Sequence, residues 1–215
     1  MLHAAVALAM REGMDAVSMR KLADELGVGA MSLYHYVPNK DDLLDGMVDL
    51  VFGEIELPPT GVEWRSAMRR RAMSTREVLN RHRWAVGLME SRRSPGPASL
   101  RLHDAVLGCL REGGFSIVMT VQAYSVLDAY IYGFALQEMS VPFESAEEGA
   151  AVAQEQVRQF AEQAQEQQSA ALAEEFPYLA EVVAGHVAEV GYDFAAAFED
   201  GLNLILDALE QRRTA

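Results

Sequence analysis

Apolar residues return every three or four positions along almost all of this chain, and no segment alternates with the period-two pattern of a half-buried strand. The expected fold is therefore all-α. Ala5, Val6, Leu8 and Ala9 share one face of a first helix over residues 2–12, which Gly13 ends. Ser18 caps a second helix, whose Leu22, Ala23 and Leu26 lie on one face and which stops at Gly27. Val28 is expected as a buried plug behind that turn. A third helix spans 29–35 with Leu33 inward, leaving Ala30, Met31, Ser32, Tyr34 and His35 on outer faces. Pro38 breaks the chain and Asn39 caps again. A fourth helix from Asp41 to about Ile55 then carries a broad apolar stripe of Leu43, Leu44, Met47, Val48, Val51 and Phe52.

Pro58-Pro59-Thr60-Gly61 is the sharpest punctuation in the chain, so two domains are expected, 1–57 and 58–215. A helix from Trp64 to about Asn80 carries Arg65, Arg69, Arg70, Arg71 and Arg76, with Arg81 just beyond. These charges surround the helix rather than forming one stripe, the pattern of a solvated face paired with acidic neighbours. A short helix over 83–90 should bury Trp84 and Leu88, and the segment SRRSPGPAS, 91–99, reads as a loop shaped by its prolines. Helices over 100–112 and 116–139 follow, separated by Gly113 and Gly114. The longer one is apolar nearly all round, which requires burial on two sides, one against its own core and one against a partner subunit. Residues 145–168 hold little that is large enough to bury and read as an exposed helix. Phe176-Pro177-Tyr178 opens another helix. The closing one, over 192–211, spaces Phe198, Leu202 and Leu206 beyond the needs of a monomer core.

Composition adds limits. Half of the 215 residues are hydrophobic, yet no apolar run is long enough to cross a bilayer. The opening MLHAAVALAM lacks a basic leader and a small-residue cleavage site, so it is not expected to be a signal peptide. Cys109 is the single cysteine, which excludes an internal disulfide and suits a reducing cytoplasm. The net charge is −14, with the acid concentrated late: between Glu112 and Gln211 the one basic residue is Arg158.

Two short helices joined by a Gly-containing turn make a helix-turn-helix pattern, whose second helix enters the major groove in DNA-binding proteins. A helical corner in a bundle core has the same spacing. Such a corner does not account for the outer surface of 30–36, small at its start and then hydroxyl-bearing and aromatic, with Lys40 following. Small residues allow close approach to base edges, and Ser, Tyr and Lys reach phosphates. The runs RKLADELGV, SLYHYV and NKDDLL resemble the DNA-binding domain of the tetracycline-repressor (TetR) family, without gaps from about Ala4 to Phe52. The resemblance implies DNA contacts at Ser18, Arg20, Ala30, Met31, Ser32, Tyr34, His35, Tyr36 and Lys40. Tyr34, Tyr36 and Lys40 would hold phosphates, while Ala30, Met31 and His35 would face bases. The family often has a polar residue where Ala30 and Met31 stand, so contact with thymine methyl groups is the expected role here. Members of the family usually carry a basic arm ahead of the position of Met1, so this chain is expected to start late, and acids flank Arg11, Arg20, Lys21 and Lys40. Binding is therefore expected to be weak or unusually salt-sensitive.

The later runs GPASL, CLREGGF, AYIYGFALQE and FEDGLNLILDALE resemble the regulatory domain of the tetracycline-repressor subgroup. That resemblance implies a homodimer, with the last helix and the long one ending near Glu138 in a four-helix interface. It also implies a ligand site at Arg71, Thr75, Met89, Arg93, Val121, Tyr124 and Gln137. Met and Val would supply apolar walls, Tyr124 and Gln137 would orient a polar group, and an arginine could meet an anion. Tetracycline repressors hold a magnesium–drug complex through a histidine and a glutamate. Here Met89 or Glu90, and Gln137, stand at those positions, so the inducer is expected to be a different, largely apolar molecule. No paired-cysteine or His-x-x-x-His spacing marks a metal site, and nothing marks an activated nucleophile. Neither an enzyme, nor a metal, nor a cofactor is expected, and His82, His103 and His186 read as surface or core histidines. The expectation is a cytoplasmic, homodimeric repressor released from double-stranded palindromic operator DNA by a small-molecule inducer. The alternative is an all-α interaction protein whose helix-turn-helix is only structural.

Overall fold

The computed structural model describes residues 1–89, 95–140, 176–182 and 194–213, and every regular element among them is helical. By contacts the chain divides into two compact units, Met1–Ala135 with Ile205–Ala215, and Leu136–Leu204.

In the first unit, α1 (Leu2–Glu12), α2 (Met19–Leu26) and α3 (Ala30–Leu33) close around one cluster with the start of α4 (Lys40–Glu54). Ala5, Leu8, Leu22, Leu33 and Leu43 are buried in it. Helix α2 starts where Ser18 Oγ accepts from the Lys21 N–H at 3.2 Å. It ends at Gly27, whose φ of 66° is strained for any residue with a Cβ. The Val28 N–H bonds back to the Ala23 carbonyl at 3.0 Å, closing the helix end and turning the Val28 side chain outward. Val28 is therefore not the expected plug: it is 44% exposed, Leu26 is also exposed, and Val37 fills the cluster instead. Helix α3 is shorter than the expected 29–35, because the Tyr36 and Val37 N–H groups both reach the Leu33 carbonyl, each at 3.0 Å.

Asn39 caps α4, its Oδ1 accepting from the Asp42 N–H at 2.9 Å, and all six residues of the expected apolar stripe are buried. Helix α4 packs against α1 and against α7 (Pro97–Glu112). Helix α5 (Trp64–Arg81) is capped by Glu63. Its arginines pair with acids as the scattered charge pattern suggested: Arg65 with Asp207 at 2.6 Å, Arg70 with Glu56, and Arg81 with Glu54 at 2.6 Å. Arg71 departs from that pattern and is buried. A 3-10 turn (Arg83–Ala85) and α6 (Val86–Met89) follow. Ala85, Val86 and Met89 are the buried residues there, whereas Trp84 and Leu88 are only half-buried against the N-terminal cluster.

Helix α8 (Ile117–Ser140) buries Ala123, Leu127 and Ile131 and exposes Ile117, Val118, Val121 and Val126. The last helix, α10 (Phe194–Arg213), ends in the first unit. There the Trp64 indole donates to Glu210 Oε2 at 2.9 Å, and Arg213 Nη1 donates to the Gly113 carbonyl at 2.9 Å. The second unit contributes α9 (Pro177–Val182) and the start of α10 to the described residues. Residues 145–168, read as an exposed helix, and His186 lie outside the described residues.

Candidate functional site

Two sites emerge in the first unit. The outer surface of α3 and the turn after it is one. Met31 is 77% exposed and Tyr36 79%, with Ser32, Tyr34 and His35 exposed between them. Ser32 is partly engaged, because its hydroxyl donates to the Gly29 carbonyl at 2.6 Å. Ala30 is half-buried, and Ser18 is committed to capping α2. The four basic residues of this head divide cleanly. Arg11 lies 2.9 Å from Glu25 and 3.2 Å from Glu12, and Lys21 pairs with Glu12. The Lys21 and Arg11 bonds hold the Glu12 carboxyl below the usual carboxylate range. Arg20 and Lys40 are exposed and have no ion pair among the described residues. The surface thus offers two cations, two tyrosines and an apolar tip, a set that fits phosphates at its margin and a methyl-bearing groove at its centre.

The second site is a cavity of about 630 Å³. Helix α4 supplies Asp45, Val48, Asp49 and Phe52, and α6 supplies Met89. From the start of α7 come Gly96, Ser99 and His103, and from α8 Tyr124, Asp128 and Tyr132. Asp49 bridges two of these walls. Its carboxylate accepts from the Ala98 N–H at 3.0 Å and from the Ser99 N–H at 2.9 Å, so a side chain of α4 caps α7. The approach is close: a Cβ on Gly96 would sit 2.2 Å from the Asp49 carboxyl carbon, so a larger residue would push that carboxylate off the N–H groups it caps. His103 Nδ1 lies 2.8 Å from the Ser99 carbonyl, which can only accept, so Nδ1–H donates there and Nε2 is left to face elsewhere. Its ring lies 5.3 Å from that of Tyr124 and 6.4 Å from that of Phe52 between centroids.

Behind this wall lies a buried ion pair. Arg71, 2% exposed, places Nη2 2.6 Å from Asp128 Oδ1. Arg71 Nε and Nη1 and Asp128 Oδ1 are buried and have no hydrogen-bond partner among the described residues. Burial, then the Asp128 charge and a hydrogen bond to it, push the Tyr124 hydroxyl far above its ordinary value; it stays a neutral phenol.

The expected ligand residues scatter against this geometry. Met89 and Tyr124 line the cavity. Arg71 reaches it only through Asp128, and Thr75 is fully buried with its hydroxyl donating to the Arg71 carbonyl at 2.8 Å. Val121 and Gln137 lie on exposed surface of α8 and are not part of the lining, and Arg93 lies outside the described residues. Phe52, Asp45, Asp49, Ser99, His103, Asp128 and Tyr132 were not anticipated. Only Asp128 left a trace in the sequence, one helical turn after Tyr124 on an otherwise apolar helix.

Residues 1–47 match the tetR family of bacterial regulatory proteins, and residues 57–213 match the tetracyclin repressor-like C-terminal domain. The chain belongs to the TetR family. The tetracycline repressor protein class A from transposon 1721 of Escherichia coli is 30% identical over 215 residues, 99% of this chain and 89% of that protein. The HTH-type transcriptional repressor DrrR1 of Streptomyces coeruleorubidus is 37% identical over 139 residues, 64% of this chain and 52% of that protein. The matched stretch thus spans about half the length of DrrR1, and 56% of a second regulator, from Saccharopolyspora erythraea. Among solved structures, apo ActR from Streptomyces coelicolor superposes with a TM-score of 0.80 at 26% identity, covering 99% of this chain and 94% of that one. ActR in complex with actinorhodin gives 0.78 at 26% identity, covering 100% and 96%.

Proposed function

We propose that this protein is a ligand-responsive transcriptional repressor that works in the cytoplasm as a homodimer and performs no catalysis. The DNA-reading part is 1–57 and the regulatory part 58–215. The reading surface holds palindromic operator DNA, with Lys40, Arg20, Tyr34 and Tyr36 on phosphates and Met31 and His35 over bases. A small molecule in the cavity lowers that affinity. One observation carries this reading: α4 belongs to both sites. It starts at Lys40 in the reading head and lines the cavity from Asp45 to Phe52. Its 15 residues form a rod of about 22 Å, so a ligand that displaces its cavity half also moves its DNA half. The ligand acts only as far as it binds the released arrangement more tightly than the DNA-bound one. DrrR1 and class A, named as repressors, and ActR, solved with actinorhodin, support the reading by family.

The test begins with selection of duplexes from a random library, followed by anisotropy titration of the enriched sequence. An inverted repeat bound specifically, with affinity lost when a cavity ligand is added, is the expected outcome. Enrichment of no sequence over competitor DNA would remove the proposal.

A further inference from the structure

We propose that Asp49 is the positioning residue that sets α4 for DNA, and that a cavity ligand acts by breaking its bonds to α7; this rests on the ligand-responsive reading above and names how that site is regulated. Helix α7 starts without a cap of its own. Gly96 stands at its N-cap and has no side chain, and Pro97 at the first helical position has no N–H. The Ala98 and Ser99 N–H groups are therefore the donors to be satisfied, and both go to the Asp49 carboxylate, at 3.0 Å and 2.9 Å. A carboxylate on a helix N-terminus is the strong form of this bond, because its charge is favoured by the helix dipole.

Within one turn, α4 is fixed on two sides. Three residues before Asp49, Gly46 faces α1 so closely that a Cβ there would sit 2.8 Å from the Leu2 side chain. Leu43, Leu44 and Met47 are buried in the cluster of the head. Asp49 thus lies about 14 Å from Lys40 along a continuous helix, whose first half belongs to the head and whose cavity half is tied to α7. Asp49, Gly96 and Ser99 all line the cavity, so the tie crosses its wall. The two helices cannot come closer at this point. The bonds are already at hydrogen-bond length, and a Cβ on Gly96 would fall 2.2 Å from the Asp49 carboxyl carbon. A guest between them can only part them. The tied arrangement is therefore the one that precedes the ligand, and in a repressor released by its ligand that is the arrangement that holds DNA.

Operator titrations of the full chain, with no ligand added, test the tie from both sides. Asp49→Ala removes the carboxylate, and Gly96→Ala drives it from the N–H groups without altering it. Each should weaken binding to the operator enriched by the wild-type chain by roughly tenfold or more, a usual size for coupling between sites. The double variant should bind no more weakly than the worse single one, since both changes break one tie. The salt slope should not move, because no cation on DNA is touched. All are compared at a temperature where circular dichroism shows the chain folded. A cap that only stabilises α7 would lower the melting point and leave operator affinity at the wild-type value. That result, or losses that add in the double variant, would overturn the inference. If Asp49→Ala fails to fold, Gly96→Ala and Asp49→Asn decide it in the same way, with the smaller loss from Asn, which keeps one acceptor. Specific wild-type binding with unchanged variants would leave the regulator standing and overturn the tie; a wild-type chain that enriches no sequence would remove both.

Discussion

Met31 and Lys40 illustrate how differently single residues are legible. Both lie on the surface of the reading head, where identity alone decides what a side chain can touch, and both could be read from the sequence. Replacing Lys40 with Ala should weaken binding to all duplexes alike and flatten the salt dependence by about one unit of slope per protomer. Met31→Ala should alter sequence preference at a thymine-bearing position and leave the slope as it was. A Lys40→Ala variant with changed preference and unchanged slope would refute this division. Tyr124 makes a prediction in pH. Its hydroxyl value is raised in the folded protein, by burial first and Asp128 second, so the fold favours the neutral phenol. That contribution is complete below the ordinary tyrosine value of about 10 and is lost as pH rises beyond it. Urea midpoints of the wild-type chain should fall faster above pH 10 than those of Tyr124→Phe; parallel curves would show that the fold does not raise this hydroxyl. The cavity side of His103 and the burial of Arg71 were not legible, because both depend on which helix faces which.

Helix boundaries show the same limit one level up. The start of α2 and the cap of α4 lie in local residues, Ser18 and Asn39, and were readable for that reason. Helix α7 begins at Pro97, inside the segment expected as a loop, because its capping side chain comes from Asp49 on another helix. A cap supplied across 49 residues leaves no local signal. Removing it should matter: Asp49→Ala orphans two N–H groups at the start of α7 and should cost about 1–2 kcal/mol. Thermal melts should show the loss, and Asp49→Asn should recover part of it through its remaining acceptor oxygen. If both variants melt with the wild-type chain, the bridge between α4 and α7 is incidental.

For the whole molecule, the apolar excess on α10 changes meaning. Phe198, Leu202 and Leu206 are fully buried within one chain and so belong to its own core, while Leu204 is 72% exposed. The amphipathic spacing announced burial without saying whose surface would provide it. Leu202→Arg should accordingly unfold the chain, at a cost of several kcal/mol, and Leu204→Arg should leave it folded, with a helical circular-dichroism spectrum like that of the wild type. If α10 lies in the dimer interface, as the family resemblance implies, sedimentation will show Leu204→Arg shifted toward monomer; an unaltered dimer would move the interface elsewhere. The ion pairs of Arg11 and Lys21 carry one further consequence. Among the described residues of the head, Arg20 and Lys40 are the lysine and arginine side chains without an ion pair; if a dimer sets these four on phosphates its salt slope should be about −4, shallow where weak or unusually salt-sensitive binding was expected. Non-specific attraction to duplex DNA is almost wholly of this kind. A repressor that binds with so shallow a slope would find the bulk of the chromosome a poor decoy, which would sequester few molecules and hold each one briefly, so that a small number of copies would keep a specific site filled.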